Sequence, residues 1–333
     1  MLRLNQGNAH AYFDDIPMAR QRFSEAETEA ARLELDGLAA MAAHNLGFAE
    51  GRAGRLAEGL LALDCAAATY ERVAARVRHL PVLYSDRAEI LRLAGLAGDA
   101  CVAAQQAVDE LASSSNVADH TEANLLLARA LLANSEPRAA RETALRAAAG
   151  FRLTRRRAWV AQAAFVVLQA DFELSPTSRM VRLGGRLERH ADQLIGFGWP
   201  VDARDALAYA ALAALAGGQS GEAARLVRRA SAVKVNGGVE GRLRLAYAKA
   251  ALLAAQGNRA ESLRLLANAI TGTQRTVANT ASTEARFHVL RYAAHAAALG
   301  VHIAFADGRP SVILHWSERQ RLAATTIPNS MPG

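Results

Sequence analysis

One set of small residues recurs along this chain about every forty positions, and it restricts the chain to a single architecture. The set opens as Gly7, Ala19, Phe23 and Ala26 and returns as Gly47, Gly59, Leu63 and Ala66. Ala88, Ala100, Ala104 and Ala107 follow, then Ala128, Ala140, Ala144 and Ala147. After a blurred unit comes Ala211, Ala223, Val227 and Ala230, with offsets of 12, 4 and 3 in every case. A weaker copy is read at Ala248, Ala260 and Ala267, where Arg264 stands in the apolar place beside Leu263. One small residue in a first helix and three small or apolar ones in a second let two antiparallel helices pack closely. Repetition of that unit predicts an all-α array in which each hairpin buries its apolar face against its neighbours.

The rest of the sequence agrees with hairpins. Asp14-Asp15-Ile16-Pro17, Gly98-Asp99, Asn134 to Pro137, Ser175-Pro176, Gly257-Asn258 and Asp307 to Pro310 read as turns between paired helices. They supply caps, helix-stopping Gly or Asn, and Pro where a first helical turn lacks a use for its N–H. Ser113 to Asn116, Asn236 to Gly238 and Thr271 to Thr283 read as polar links between units. The expected array covers residues 1–324, in units near 1–37, 38–79, 80–117, 118–156, 157–198, 199–237, 238–275 and 282–324, with 325–333 an unpacked linker. No apolar run approaches the ~20 residues of a membrane span. No apolar leader follows Met1, and two cysteines make no disulfide framework, so a cytoplasmic protein without a membrane role is expected.

The small residues, with Asn45-Leu46-Gly47, resemble the tetratricopeptide repeat, and that resemblance implies a right-handed superhelical solenoid of about eight hairpins. A narrower resemblance lies in Asp86 to Leu91, Ala123 to Ala133, Phe151-Arg152 with Arg157-Ala158-Trp159, Gly198 to Val201, and Ala306 to Pro310 before Trp316 to Arg319. Together these look like the repeat region of actinobacterial CHAT proteins, in which a caspase-like protease domain follows the repeats. That domain is absent from this sequence, so its activity does not carry over.

Chemistry-bearing residues form no reactive set. Cys101 follows Asp99-Ala100 as a caspase-like nucleophile would. But Val102-Ala103 come next, no His-Gly dipeptide exists, and Ala100 already holds a repeat position. Cys65, beside Ala66, reads as packing. His288, His295 and His302 recur every seven residues, too far apart along a helix for one metal ion. Gly184-Gly185 and Gly237-Gly238 lack the spacing and Lys of a phosphate loop. Neither an enzyme, a metal nor a cofactor is expected.

Binding is expected instead. By the repeat resemblance, the inner face of the first helices carries Leu4, Asn8 and Tyr12, then His44, Phe48 and Arg52, then Ser85, Glu89 and Arg92, then Arg129. Asn8 and Asn45 approach the Asn positions of a two-carboxylate clamp, but Leu4, Val82 and Asp86 fall near its basic positions, which argues against that clamp. Unit six presents Ala208, Leu212, Leu215 and Ala216, suited to packing against another domain or a closing helix. Charge divides the chain. Residues 1–150 hold 15 basic and 20 acidic side chains, whereas 151–333 hold 24 and 12, so the basic excess lies wholly in the second part. Lys234 and Lys249 are its only lysines. Arg155, Arg156 and Arg157, with Arg182, Arg186 and Arg189 on one helical stripe, form a candidate basic surface. No aromatic interleaves within these clusters, which disfavours nucleic acid. The expected function is a protein-interaction scaffold or sensor arm, a monomer or weak dimer, with a protein or peptide partner and a CHAT protease domain as one candidate. The sensor arm of a transcription regulator and a nucleic-acid-binding solenoid are the alternatives.

Overall fold

Packing of the small residues sets every helix pair. The computed structural model describes the chain apart from residues 13–14, 54, 74–75, 113–115, 236–238, 279–282 and 326–333. At 12, 76–78, 239–240, 273–278, 283–292 and 323–325 it describes the backbone alone. The described residues form sixteen helices and no strand. Met1–Gly150 make one compact unit, and Phe151–Asn279 with Arg286–Gly333 make another. The first holds α1 (Leu2–Tyr12), α2 (Ile16–Arg32), α3 (Asp36–Arg52), α4 (Leu56–Arg72), α5 (Arg76–Ala94), α6 (Ala97–Ala112), α7 (Val117–Ala133) and most of α8 (Pro137–Leu153). The second holds α9 (Arg157–Leu174), α10 (Thr177–Gly196), α11 (Pro200–Ala216), α12 (Ser220–Ala232), α13 (Val239–Ala255), α14 (Arg259–Ala278), most of α15 (Thr283–Asp307) and α16 (Pro310–Thr325). Each unit is a stack of helical hairpins, the solenoid type of all-α fold.

Within a hairpin the recurrent residues meet. A Cβ on Gly47 would stand 2.8 Å from the Gly59 carbonyl oxygen, and one on Gly59 would stand 2.8 Å from that of Gly47, so the two backbones touch there. Ala88, Ala100, Ala104, Ala107, Ala128, Ala140, Ala144, Ala147, Ala211, Ala223 and Ala230 are buried likewise. The 12, 4, 3 spacing also survives in the blurred fifth hairpin, as Leu168, Met180, Gly184 and Leu187, with Gly184 against Ala213. In the eighth it runs Gly300, Val312, Trp316 and Arg319, and a Cβ on Gly300 would collide with the Trp316 ring. Gly7 and Phe23 make the same glycine–aromatic pair in the first.

The seventh hairpin corrects the expected register. Ala260 and Arg264 are exposed, whereas Ser262, Leu266 and Ile270 are buried. The working set is Ala250, Ser262, Leu266 and Ala269, two residues later than Ala248 and Ala260. Serine stands in alanine's place because its hydroxyl donates to the Ala250 carbonyl at 2.7 Å, which satisfies a buried polar group.

Two turn readings also change. Gly98 and Asp99 lie inside the first turn of α6, and the turn before it is Gly95-Leu96, with Gly95 at φ 79°. Asp99 there places a negative charge at the positive end of the helix dipole. Thr271 to Ala278 continue α14 rather than forming a link. Elsewhere the caps are as expected: Asp15 accepts from the Met18 N–H, Asn116 accepts from the Asp119 N–H, and Pro137 and Pro310 open helices. Glu34, Ser135 and Arg155 adopt positive φ in turns where other hairpins use glycine.

Successive hairpins touch through their first helices: α1 with α3, α3 with α5, α5 with α7, α9 with α11 and α11 with α13. Side chains on consecutive first helices therefore come within reach of one another although some forty residues separate them in sequence.

Candidate functional site

The first helices of the second, third and fourth hairpins gather three arginines about one carboxylate. On α5, the Nε and Nη2 of Arg92 donate to the two oxygens of Glu89 at 2.8 and 2.9 Å, a forked pair one turn apart. Burial alone would raise the Glu89 carboxyl. Arg92, with Arg129 from α7 and Arg52 from α3 in electrostatic reach, holds it below the ordinary carboxylate value instead. On α3, the Arg52 guanidinium lies 6.0 Å from the centre of the Phe48 ring. Arg52 is exposed, while Phe48, Glu89, Arg92 and Arg129 are half-buried. The next carboxylate along α5, Asp86, is taken by His44 at 3.0 Å. The resulting patch combines an aromatic ring, a carboxylate and three guanidinium groups.

Other expected members of this face serve elsewhere. His44 is only 5% exposed and bridges Tyr70 (3.3 Å) on one side of its ring and Asp86 on the other. It is a buried strut between α3, α4 and α5, not a group open to a ligand, because three helices converge on that position. Tyr70 stacks on His79 at 4.8 Å, and burial, with Asp86 nearby, holds its phenol protonated above the usual range. The Ser85 hydroxyl donates to the Pro81 carbonyl at 3.0 Å. Asn8 accepts from Asn45 at 2.9 Å, which ties α1 to α3. The side chain of Tyr12 lies outside the described residues.

Several arginines of the second unit are committed. Arg156 sits 5.2 Å from the centre of the Phe151 ring and 4.8 Å from that of Trp159. This corrects the expectation of a basic cluster without aromatics. The rings still offer no stacking platform, because Phe151 is fully buried and Arg156 covers Trp159. Arg155 occupies the left-handed turn before α9 and is exposed, as are Arg157, Arg182 and Arg189. Arg186 pairs with Asp171 at 3.4 Å. Between α10 and α12, Arg225 reaches Glu188 at 2.7 Å and also Glu222, and Arg229 bonds Glu188 and Asp192.

On α11 the expected apolar quartet is split: Ala208 is buried, Leu212 and Leu215 pack partly on the core, and Ala216 is exposed. A polar group lies in the same row. Arg244 bonds Asp205 and lies 4.8 Å from the centre of the Tyr209 ring, which meets Phe172 edge-on at 5.0 Å. The near-forty spacing of Asp205 and Arg244 is the one sequence signal that could have found it.

Nucleophile and ligand candidates occupy plain helical positions. Cys101 lies within α6, where burial, with Glu136 nearby, pushes its thiol up to about 11, so it stays protonated near neutrality. Cys65 is exposed on α4. His295 and His302 are exposed on α15, and the side chain of His288 lies outside the described residues. Among the described residues no three His, Cys, Asp or Glu side chains group to hold a metal ion, and no helix is long and apolar enough to cross a membrane.

No protein-family model matches the sequence, and no curated protein matches it in sequence. Solved structures do resemble it. A Rap protein complexed with competence and sporulation factor superposes with a TM-score of 0.65 at 11% identity, covering 97% of each chain. A circular tandem repeat protein with novel repeat topology and enhanced subunit contact surfaces aligns over 98% of this chain and 94% of its own, at 12% identity and a TM-score of 0.27. At such identities the Rap likeness establishes the fold, and the chain is thereby similar to a helical tandem-repeat protein.

Proposed function

We propose that this chain is a protein-interaction array whose working surface is the first-helix face of the first unit. The observation that carries the reading is the convergence of Phe48, Arg52, Glu89, Arg92 and Arg129 from three successive helices. An aromatic side chain among arginines is the usual composition of an interface hot spot. The fold-level similarity to a Rap protein solved with competence and sporulation factor supports a separate protein or peptide as partner. The finer assignment is a regulatory arm of a CHAT-type cysteine protease domain, supported by the motif order from Asp86 to Arg319. In that role the array restrains the protease or presents substrates until a partner binds. The protonated state of Cys101 and its helical setting support a non-enzymatic role.

The test pairs two variants. Phe48→Ala with Arg92→Ala abolishes partner capture while thermal melting stays cooperative, and replacing Arg155 and Arg157 by Gln leaves capture intact. A partner identified through the open reading frame immediately downstream gives the assay its ligand. Loss of capture in the arginine-link variant alone moves the site to the second unit and favours an acidic-protein or nucleic-acid reading.

A further inference from the structure

The buried strut beside the proposed binding face carries an inference that deepens that reading and rests on it. We infer that His44 is a positioning residue whose protonation sets how Phe48 on α3 stands against Glu89 and Arg92 on α5, so that lower pH tightens the hold of this face on its protein or peptide partner. His44 and Phe48 are four residues apart on α3, and Asp86 and Glu89 are three apart on α5, so each pair spans one helical turn. The 3.0 Å bond between His44 Nε2 and Asp86 Oδ2 therefore lies one turn from the place where Phe48 and Glu89 converge.

A carboxylate only accepts, so Nε2 carries the hydrogen of that bond. Tyr70 is fully buried and its phenol stays protonated, so its hydroxyl has one hydrogen to place. Neutral His44 takes it: the hydroxyl donates to Nδ1 at 3.3 Å, and the imidazole ties α3 to both α4 and α5. When His44 gains a proton, Nδ1 turns from acceptor to donor, and the Tyr70 hydrogen loses its partner inside a buried site. The bond to Asp86 meanwhile becomes a charge-assisted pair between two ions. Lower pH thus shifts the tie of α3 from α4 toward α5, the helix that shares the binding face.

Other charged groups around the strut are engaged elsewhere. His79 of α5 stacks on the Tyr70 ring at 4.8 Å, and Arg87, next to Asp86, is bonded to Asp64 on α4. Arg72 of α4 meets α3 at Asp36, 2.7 Å away. Arg20 of α2 meets it at Glu50, 2.6 Å away, and α1 meets it through Asn8 and Asn45 at 2.9 Å. Among the described residues, Tyr70 and Asp86 are the groups that bond the His44 ring.

NMR on the full chain, labelled at the His and Phe rings and titrated from about pH 5 to about pH 8, reads the coupling without a ligand. The Phe48 ring signals should move with the same midpoint as those of His44. Tyr70→Phe should raise that midpoint, because a bond made only to the neutral ring is gone. Asp86→Asn should lower it by about one unit or more and uncouple Phe48, and Asp86→Glu, which restores the charge, should restore the coupling. His79→Gln should leave the coupling in place. Dodecapeptides selected on the full chain from a random display library at about pH 6 are the binding probes. Those that need Phe48 should bind about fivefold tighter at about pH 5.5 than at about pH 8, and His44→Gln should abolish the difference. Thermal melts check folding, and Tyr70→Phe, which removes a single hydroxyl, keeps the test open if Asp86→Asn fails to fold. Phe48 signals that stay still while His44 titrates, or that lose their pH response in His79→Gln, overturn the inference. Peptides that need Phe48 yet bind alike at both pH values, or tighter at the higher, overturn it and leave the binding face standing. Phe48 signals that follow His44, with peptides indifferent to Phe48, uphold the coupling and overturn the proposed face.

Discussion

The two units share one packing code and pair arginines with carboxylates in different patterns. The second unit is rich in basic residues, yet Arg225 and Arg229 are bound to Glu188 and its neighbours, Arg186 to Asp171, Arg244 to Asp205, and Arg156 lies over the Phe151 and Trp159 rings. The first unit is acidic in total, yet Arg52, Arg92 and Arg129 all act on the carboxylate of Glu89. Net charge is thus a poor guide to where guanidinium groups gather about a carboxylate. What matters is whether a guanidinium meets a matched carboxylate on the next hairpin, and that depends on the stacking.

The largest expected effect tests the shared code. Gly59→Leu forces side-chain atoms into the Gly47 backbone and should cost about 3 kcal/mol, the upper part of the overpacking range. Ala140→Leu should cost about 1–3 kcal/mol, with Arg141→Ala as a near-neutral exposed control. Chemical denaturation of the three variants checks this, and equal losses in all would show that the hairpin register is wrong.

Next comes the contrast between faces. Phe48→Ala in the first unit should weaken partner binding by about 2 kcal/mol, whereas Tyr209→Ala, at the aromatic that Arg244 covers in the second, should reduce stability and leave that binding alone. Calorimetric titration with a thermal melt on each variant separates the two outcomes. A binding loss confined to Tyr209→Ala would reverse the comparison.

A smaller effect follows from titration. The folded-state pKa of Glu89 lies below its ordinary value, so its ionised form stabilises the fold above the ordinary carboxylate range. That contribution is lost as pH falls through the lowered pKa. The stability gap between wild type and Glu89→Gln should therefore be a few tenths of a kcal/mol near neutral pH and close as the pH falls below the ordinary carboxylate range. A gap that widens on acidification would contradict the sign. Smallest of all, Arg155→Gly relieves a left-handed backbone at a non-glycine residue and should stabilise the second unit by up to ~1 kcal/mol, with binding unchanged.

How far the sequence disclosed this depends on the kind of contact. Helix pairing was readable because Gly47 with Gly59, or Ala128 with Ala140, must be small for two backbones to approach, and size is visible in sequence. The fifth and eighth hairpins were hidden because bulk changed sides: Met180 faces a set relaxed by Gly184, and Trp316 fills the space that Gly300 leaves. Ser262 concealed the seventh because a hydroxyl looks polar until its carbonyl partner is known. The expected face did contain the residues that converge, since position in the repeat fixes direction on the first helix. That His44 would be sealed by Tyr70 and Asp86, and that Arg129 and Arg52 would act on Glu89, depended on contacts across hairpins about forty residues apart, which periodicity does not specify.

Binding of the partner to wild type, Arg129→Gln and the Arg182→Gln, Arg189→Gln double variant tests the central claim most directly. Arg129→Gln in the first unit should lower affinity about tenfold, and the double variant in the second should stay within about twofold of wild type. Loss of affinity in the double variant with none in Arg129→Gln would contradict the account.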